Sequence, residues 1–345
     1  MHSKAGFEAK KRFNIFKNKN LIWSDPKLSN YIRSYSISTL LAEKIKSAAL
    51  NLGFDRVGIA RIEALPPARL QQWLASGCHD GMHYMADRMA QRHDPRLLVE
   101  NAQSIVVVAL NYFVARAQPP GADEGRIARY AWGRDYHEVM RERLQQLLHK
   151  IQALAPGSSG RGFVDSAPVL EKVWAQRAGI GWQGKNSLVI SPGVGSWMVL
   201  GELIIDIALP ADVPARNRCG SCRLCLDACP TGALVAPGLL DARRCLSCLT
   251  VERKAEHSIP EEWAHKMNGF VFGCDICQEV CPFNQRWAHT TAEPAFRPRP
   301  WRTGIALTQY ADLPEEDFQT LFAGSSIKRT KYAGFMRNVR AALGV

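Results

Sequence analysis

The residues with the clearest chemistry are cysteines, nine of which fall between residues 219 and 281 of this 345-residue chain. The first four follow the order C-x2-C-x2-C-x3-C-P: Cys219, Cys222, Cys225 and Cys229. In bacterial ferredoxins, the first three cysteines of this spacing bind one [4Fe–4S] cube and the fourth binds a second cube. A zinc ribbon is the alternative, but zinc sites use two separated CxxC pairs rather than one tight run. The spacing therefore predicts two iron–sulfur clusters.

A second cysteine group supplies the remaining ligands. It has the order C-x2-C-x3-C-P, and Val271 stands where a regular motif has its first cysteine. Ligands of paired clusters cross between the two motifs. Cluster one is then bound by Cys219, Cys222, Cys225 and Cys281. Cluster two is bound by Cys229, Cys274, Cys277 and either Cys245 or Cys248. Cys78 stands alone and is predicted to be an ordinary thiol.

The segment upstream of the cysteines has the periodicity of an α/β domain. Ser104–Leu110 is a continuous apolar run, typical of a strand buried on both faces. Residues 135–154 have helical periodicity, and a short strand over 162–165 precedes a helix over 168–178. Strands that alternate with helices indicate an α/β sandwich over residues 39–210. Residues 211–290 have little apolar material and need metal to fold, and residues 291–345 end in a predicted helix.

Most of the formal net charge of +12 belongs to the two ends of the chain. Residues 1–38 hold eight Lys/Arg and two Asp/Glu, and residues 326–345 hold five Lys/Arg and no acid. Such ends bind nucleic acid or an anionic membrane, although a solvated tail is the plainer interpretation. Residues 1–38 are predicted to be a disordered extension. We interpret them as upstream sequence included because the translation start was assigned too early. No apolar run of 18 residues occurs, so we expect no membrane span and a cytoplasmic protein.

Several longer motifs resemble the epoxyqueuosine reductase family over residues 39–345. These motifs are Arg129–His137 (RYAWGRDYH), Phe163–Glu171 (FVDSAPVLE), Ala178–Asn186 (AGIGWQGKN), Leu200–Leu203 (LGEL), Cys229–Ala233 (CPTGA), Asp241–Ser247 (DARRCLS) and Gly324–Arg329 (GSSIKR). The resemblance implies a nitroreductase-like α+β sandwich that binds base-off cobalamin, a ferredoxin-like double [4Fe–4S] domain and a short helical C-terminal region. The implied reaction reduces epoxyqueuosine to queuosine at the wobble position of tRNA, by two electrons and with loss of water.

The resemblance also implies roles for individual residues. Asp165 is the implied proton donor to the departing oxygen, at the carboxyl end of a strand where ligand sites of α/β sheets cluster. We expect burial beside cobalamin to raise its pKa, and an N-cap of the following helix is the alternative. Asp135 and His137 are secondary candidates that orient substrate or relay protons, or merely cap and pack. Cys245 is favoured over Cys248. The implied cobalamin contacts are Arg88, Asp165, Lys185, Asn186 and Ser247.

A tRNA substrate needs cationic side chains for its phosphates and aromatic ones for its unstacked bases. The basic C-terminal segment is the predicted contact, through Lys328, Arg329, Lys331 and Arg337. An external low-potential electron donor is also implied, and a monomer is expected. Two other functions stay open. One is a reductive dehalogenase-like cobalamin enzyme that acts on a small molecule, and the other is a non-enzymatic, ferredoxin-like electron carrier.

Overall fold

The computed structural model describes residues 26–345, with side chains from Ile37 onward. The first helix, α1, runs from Pro26 to Asn51. It crosses the predicted boundary at Thr39, so the regular structure begins earlier than the apolar periodicity indicates. The prediction of a disordered extension otherwise falls on residues 1–25, outside the described residues.

The elements follow each other in an order that mixes strands and helices. The strands are β1 Arg56–Arg61, β2 Ser104–Asn111, β3 Arg126–Ile127, β4 Gly160–Phe163, β5 Trp182–Gln183, β6 Val189–Ile190, β7 Met198–Ile205, β8 Leu234–Ala236, β9 Leu239–Leu240 and β10 Phe270–Phe272. The helices after α1 are α2 Ala68–Ala75, α3 Met89–His93, α4 Tyr136–Leu154, α5 Glu171–Arg177, α6 Leu224–Asp227, α7 Leu246–Val251, α8 Glu261–Ala264, α9 Ile276–Glu279, α10 Pro282–Trp287, α11 Leu307–Ala311, α12 Glu315–Leu321 and α13 Lys331–Leu343.

The upstream part of the chain is organised around a four-stranded sheet in the order β1-β2-β7-β4. Strand β2 pairs antiparallel with β7 along its whole length, from Ser104 opposite Ile205 to Asn111 opposite Met198. The other two pairs are also antiparallel. The expected sandwich is therefore present with an antiparallel sheet. Asp165 lies just after the carboxyl end of β4, as predicted. The rule that ligand sites cluster at carboxyl ends does not apply here, because strand ends of an antiparallel sheet alternate in direction.

Strand β2 is buried at every residue, as its apolar run predicts. Its side chains alternate between the two faces of the sheet. Val106 and Val108 pack with α1 and α4 in one core, whereas Ile105 and Val107 pack with α5 in the other. The sheet is thus covered by helices on both faces, and it fixes the positions of α4 and α5.

The cysteine-rich segment packs against the upstream domain through strand pairing, ion pairs and a shared apolar core. Strand β10 pairs in parallel with β3. The guanidinium of Arg129 lies 3.0 Å from Asp275 Oδ2 and 2.7 Å from Glu279 Oε1, on the turn that leads into α9 and on α9 itself. Aromatic side chains of α11, α12 and α13 share a core with β3 and β10. Among residues 26–345, no helix combines the length and the apolar character needed to cross a bilayer.

Candidate functional site

An open cavity of about 660 Å³ brings together distant parts of the chain. Its walls are formed by residues between 84 and 92, by residues 165–173, and by Gln183, Glu252 and Arg329. Three of the predicted site residues line it: Asp165, Arg88 and Arg329. The Asp165 side chain is 46% exposed, so its carboxyl is accessible from the cavity.

Asp165 is held by residues at the start of helix α4. The Tyr136 hydroxyl donates to Asp165 Oδ2 at 2.8 Å, and His137 Nε2 lies 3.2 Å from the same oxygen. On the other side of the ring, His137 Nδ1 lies 2.7 Å from Asp135 Oδ1. Asp135 also accepts from the backbone N–H of His137 and so caps α4. The three predicted residues therefore form one hydrogen-bonded chain, to which sequence reasoning had not assigned Tyr136.

The protonation states of these hydrogen-bonded residues differ from the expectation. Burial alone raises the pKa of Asp165, but hydrogen bonds from His137 and Tyr136 and the charge of His137 bring it below its ordinary value. The protein's own groups thus lower the pKa of Asp165, and the rise expected beside cobalamin stays a prediction. Burial lowers the pKa of His137, yet its bonds to Asp135 and Asp165 raise it to about 9. The mobile proton is therefore bound to His137, whose ring lies between the carboxylates of Asp135 and Asp165.

The backbone at Asp165 has an unusual conformation. Its φ is +48°, in the left-handed region that Asp adopts more readily than most residues. Helix α5 begins only at Glu171, and its N-cap is Leu170. The N-cap alternative for Asp165 is therefore wrong. Instead, the backbone N–H of Asp165 donates to Glu171 Oε1 at 2.5 Å.

A small separate cavity gathers the ligands predicted for cluster one. Burial and the negative charge of the other three cysteines together raise the pKa of the Cys225 thiol to about 11. Trp182 Nε1 lies 3.3 Å from Cys219 Sγ. The lining includes four cysteines and two residues of the 178–186 motif, Cys219, Cys222, Cys225, Cys281, Lys185 and Asn186. These thiols, all of them free, suit a cube, whose irons are ligated by thiolates.

The thiols predicted for cluster two also face each other. Burial raises the pKa of Cys274, and negative charge on Cys245 and Cys229 adds to the rise. Burial also raises the pKa of Cys277, and negative charge on Cys274, Cys245 and Cys229 adds to the rise. Cys248 hydrogen-bonds to Cys245 and lowers the pKa of Cys245 to about 7. Among residues 26–345, no three His, Cys, Asp or Glu side chains lie close enough to share a single metal ion. The ligands of a cube stand further apart, since the cube itself separates them.

Two predicted cobalamin contacts lie at cluster one. Lys185 Nζ donates to the backbone carbonyls of Gly220 and Cys222, at 2.7 Å each. Asn186 Nδ2 lies 3.5 Å from the carbonyl of Cys277. The ammonium of Lys185 thus holds the first cysteine loop rather than facing the cavity that Asp165 lines. Ser247 lies in α7 between Cys245 and Cys248, where its carbonyl accepts from Thr250.

The four predicted tRNA-binding residues are placed differently from one another. Arg329 lines the large cavity, 3.0 Å from Glu252 Oε2. Lys328 is bonded to Gln319, and Lys331 is exposed at the start of α13. The Arg337 guanidinium instead donates to the carbonyls of Leu249, Arg253, Lys254 and His257. Arg337 therefore ties α13 to the chain after α7, and its hydrogen bonds give it a structural role; its predicted contact with tRNA stays a prediction.

Comparisons with known proteins point in one direction. The family model described as "Epoxyqueuosine reductase QueG, DUF1730" matches residues 92–166, and "4Fe-4S double cluster binding domain" matches residues 218–284. A protein described as "Epoxyqueuosine reductase" from Gloeobacter violaceus is 45% identical over 311 residues, which are 88% of this chain and 96% of the relative. Another, from Cellulophaga algicola, is 40% identical over 300 residues, or 86% and 96% of the two chains.

Solved structures share the fold as well. One is described as "Crystal structure of epoxyqueuosine reductase with a tRNA-TYR epoxyqueuosine-modified tRNA stem loop". Its TM-score is 0.81 at 32% identity, over 88% of this chain and 81% of that one. An epoxyqueuosine reductase structure from Bacillus subtilis, described as having its catalytic Asp loop swung out of the active site, has a TM-score of 0.80 at 32% identity. It covers 88% and 81% of the two chains.

A helix-covered sheet joined to a double-cluster domain, with an acid at the cavity beside them, defines the class as an iron–sulfur oxidoreductase. The identity and coverage of the relatives then decide the family. The chain belongs to the epoxyqueuosine reductase family. The resemblance read from the sequence motifs is confirmed.

Proposed function

We propose that this protein reduces epoxyqueuosine to queuosine at the wobble position of tRNA. The observation that carries the proposal is the hydrogen-bonded chain from Asp135 through His137 to Asp165 in an open cavity. An epoxide oxygen leaves as water only when it is protonated, and a positioned acid contributes ~10²–10⁴-fold to such a step. The relative solved with an epoxyqueuosine-modified stem loop supports the same substrate.

In this proposal the large cavity holds base-off cobalamin and the modified wobble nucleoside of the tRNA. The lining suits such a group, because it combines apolar side chains such as Val169 and Val173 with the cations Arg88, Arg92 and Lys172. When bound, cobalamin supplies the two-electron reduction of the C–O bonds, while the protein orients the substrate and moves protons. Ser247 borders the second cysteine set and is proposed to contact the cofactor from that side.

The protein's own groups deliver the proton. His137 carries it in the resting state, and Asp165 is the group that is exposed to the cavity. Transfer from His137 Nε2 to Asp165 Oδ2 places the proton on the accessible carboxyl, while Asp135 stabilises the position of the ring. Burial keeps the pKa of Tyr136 high, so its hydroxyl remains a donor to Asp165. Asp165 is the proposed proton donor, and Asp135 and His137 store and orient the proton.

Electrons reach the cavity through the two clusters in this proposal. Cluster one is assigned to Cys219, Cys222, Cys225 and Cys281, and cluster two to Cys229, Cys245, Cys274 and Cys277. An external low-potential donor supplies the electrons, because cleavage of the C–O bonds needs low-potential electrons, which Cys-ligated cubes can transfer. For the tRNA, we propose contacts from Arg329 at the large cavity and from Lys328 and Lys331 in the basic C-terminal segment. Cationic side chains at these positions would bind the phosphates of the tRNA.

The test is an anaerobic assay of the purified protein with both clusters intact. Cobalamin, a low-potential reductant and an epoxyqueuosine-containing tRNA stem loop are supplied, and nucleosides are analysed by mass spectrometry. We expect queuosine to form only when cobalamin and reductant are both present. Formation of no queuosine with intact clusters would overturn the proposal. Formation of queuosine by an Asp165→Asn variant at the wild-type rate would show that Asp165 is not the proton donor.

A further inference from the structure

A buried carboxyl near Asp165, that of Glu202, has no hydrogen-bond donor among residues 26–345. Glu202 lies on the central strand β7, opposite Phe163 of β4, and is 0% exposed. Neither of its carboxyl oxygens receives a hydrogen bond from a donor among residues 26–345. A buried carboxylate without a donor is costly, so such a group is held neutral by a proton unless something compensates it.

The neighbour of Glu202 is a second carboxyl, that of Glu171 at the start of α5. Two carboxyls share a hydrogen bond only when one of them is protonated, which explains why Glu202 lacks a conventional donor. Burial raises the pKa of Glu202 well above its usual value, and the adjoining Glu171 raises it further. Burial and the charge of Asp165 raise the pKa of Glu171, the backbone hydrogen bond from Asp165 and the charges of Lys172 and His137 oppose the rise, and the net value is about 7.

This pair is connected to Asp165 in two ways. Glu171 Oε1 accepts the backbone N–H of Asp165, the residue whose φ is +48°. Glu171 and Asp165 also line a common cavity of about 200 Å³, together with Tyr136. That cavity is large enough for waters that bridge the two carboxyls. Glu171 therefore both anchors the Asp165 backbone and borders a path to its side chain, and Glu202 is connected to that path through Glu171.

The proposed reaction needs a second proton. An epoxide becomes an alkene and water by taking up two electrons and two protons, and both protons end on the same oxygen. The first C–O cleavage leaves a hydroxyl group, and the second releases that hydroxyl as water. The electrons come from the external low-potential donor. His137 and Asp165 together hold one mobile proton, so a second proton must reach Asp165 while substrate fills the cavity.

We propose that Glu171 and Glu202 share a stored proton and pass it to Asp165 for the second C–O cleavage. The inference rests on the proposed function for its use in turnover, whereas the shared proton itself is argued from the buried, donorless carboxyl of Glu202 and its interaction with Glu171. Both residues act through Asp165, and the pair is recharged from solvent after the product leaves.

The first test observes the proton directly. Infrared spectra of the wild type and of Glu202→Gln are compared near neutral pH, and the carbonyl band of a protonated carboxyl is measured in their difference. We expect the band in the wild type and its loss in both Glu202→Gln and Glu171→Gln. The exposed Glu262→Gln is the matched control and should retain the band. Absence of the band from the wild type would overturn the proposal.

The second test uses the pH dependence of a single turnover. At about pH 6, protons from solvent reload Asp165, so Glu202→Gln should lose no more than about twofold; at about pH 8 the loss should reach about tenfold. Stem-loop affinity should not change. An equal loss at both pH values would indicate a merely structural role and overturn the proposal. If the wild type itself forms no queuosine, the proposed function fails, while the infrared result still decides whether the pair holds a proton.

Discussion

The acid chemistry of this site depends on one imidazole between two carboxylates. His137 is within hydrogen-bond distance of Asp135 on one side and Asp165 on the other, and its ring stacks on Tyr136 with centroids 4.0 Å apart. Such an arrangement stores a proton on the ring and holds the accessible carboxyl in one orientation. Because Asp165 also has a positive φ, its position depends on these partners rather than on regular secondary structure.

Asp165→Asn tests the proton donor. The amide preserves the size of the side chain but cannot deliver a proton, so we expect the single-turnover rate to fall by ~10²–10⁴-fold. Stem-loop affinity should stay within about twofold, since the charge on this one group is partly screened. Rates are measured by quenching and nucleoside analysis. Asp312→Asn, an exposed substitution far along the chain, should behave like the wild type. A wild-type rate for Asp165→Asn would contradict the assignment.

The protonated state of His137 makes stability depend on pH. Its pKa is about 9 in the folded protein against an ordinary 6.5. The stabilisation is therefore fully present below pH 6.5 and is lost as the pH rises through about 9. We expect the wild type to lose about 1–2 kcal/mol relative to His137→Gln over this range, a value reduced for the partial exposure of the ring. Anaerobic denaturation at both ends of the range measures it. A constant difference between the two proteins would contradict the prediction.

At the scale of elements, local sequence patterns correctly predicted individual strands and helices. The apolar run of β2 and the helical period of α4 both match the structure. The antiparallel sheet order was not predictable in this way, because it depends on pairing between strands that are distant in sequence. Glu202 gave a signal that went unused, since it is the one acid in the otherwise uncharged strand β7. Its partner Glu171 comes close only through the turn at Asp165.

Helix α13 shows why a charge run is a poor guide to binding. Arg337 and Lys331 belong to the same basic segment, but Arg337 is bound by four backbone carbonyls while Lys331 is exposed. Sequence alone does not distinguish these cases, because a long cationic side chain can either reach into solvent or fold back onto carbonyl groups. Only the packing of α13 against the chain after α7 separates a structural arginine from a free lysine.

Arg337→Ala and Lys331→Ala should therefore have opposite effects. Loss of Arg337 leaves several carbonyls without their donor, and we expect a destabilisation of about 2–3 kcal/mol. Loss of Lys331 should leave the melting temperature unchanged, weaken binding of the stem loop and lower the salt slope of binding by about 1. Thermal denaturation and binding at several salt concentrations provide the two measurements. A reduced salt slope with unchanged stability for Arg337→Ala would restore its role in binding.

Helix α7 carries both thiols that compete for the last ligand position. Cys245 is close enough to influence the pKa of Cys274 and Cys277, whereas Cys248 interacts with Cys245 and Glu252. We expect Cys245→Ser to lose roughly half of the bound iron, because one of two cubes then lacks a thiolate ligand. Cys248→Ser, the matched control, should keep the full iron content. Iron analysis and electron paramagnetic resonance of the reduced proteins measure this. Iron loss in Cys248→Ser alone would reverse the ligand assignment.

At the scale of the whole molecule, the cluster domain and the acid site are mechanically connected. Asp275, between Cys274 and Cys277, accepts from both the backbone N–H and the guanidinium of Arg129. Strand β10 pairs with β3 immediately before Arg129, and the chain continues from there to the cap of α4 and His137. The loops that hold the clusters thus support the segment that positions the proton.

Removal of the clusters should consequently loosen the acid site while the sheet survives. The cysteine loops at residues 219–229 and 274–280 bury no apolar side chain of their own, so their conformation depends on their metal. Strand β2 is buried on both faces and does not depend on the clusters. After chelation of iron, we expect amide hydrogen exchange to accelerate in residues 270–279 and 126–137 and to stay slow in 104–111. Arg129→Gln with intact clusters should reproduce the effect in residues 126–137 alone. Unchanged exchange in residues 126–137 after chelation would show that the acid site stands independently of the clusters.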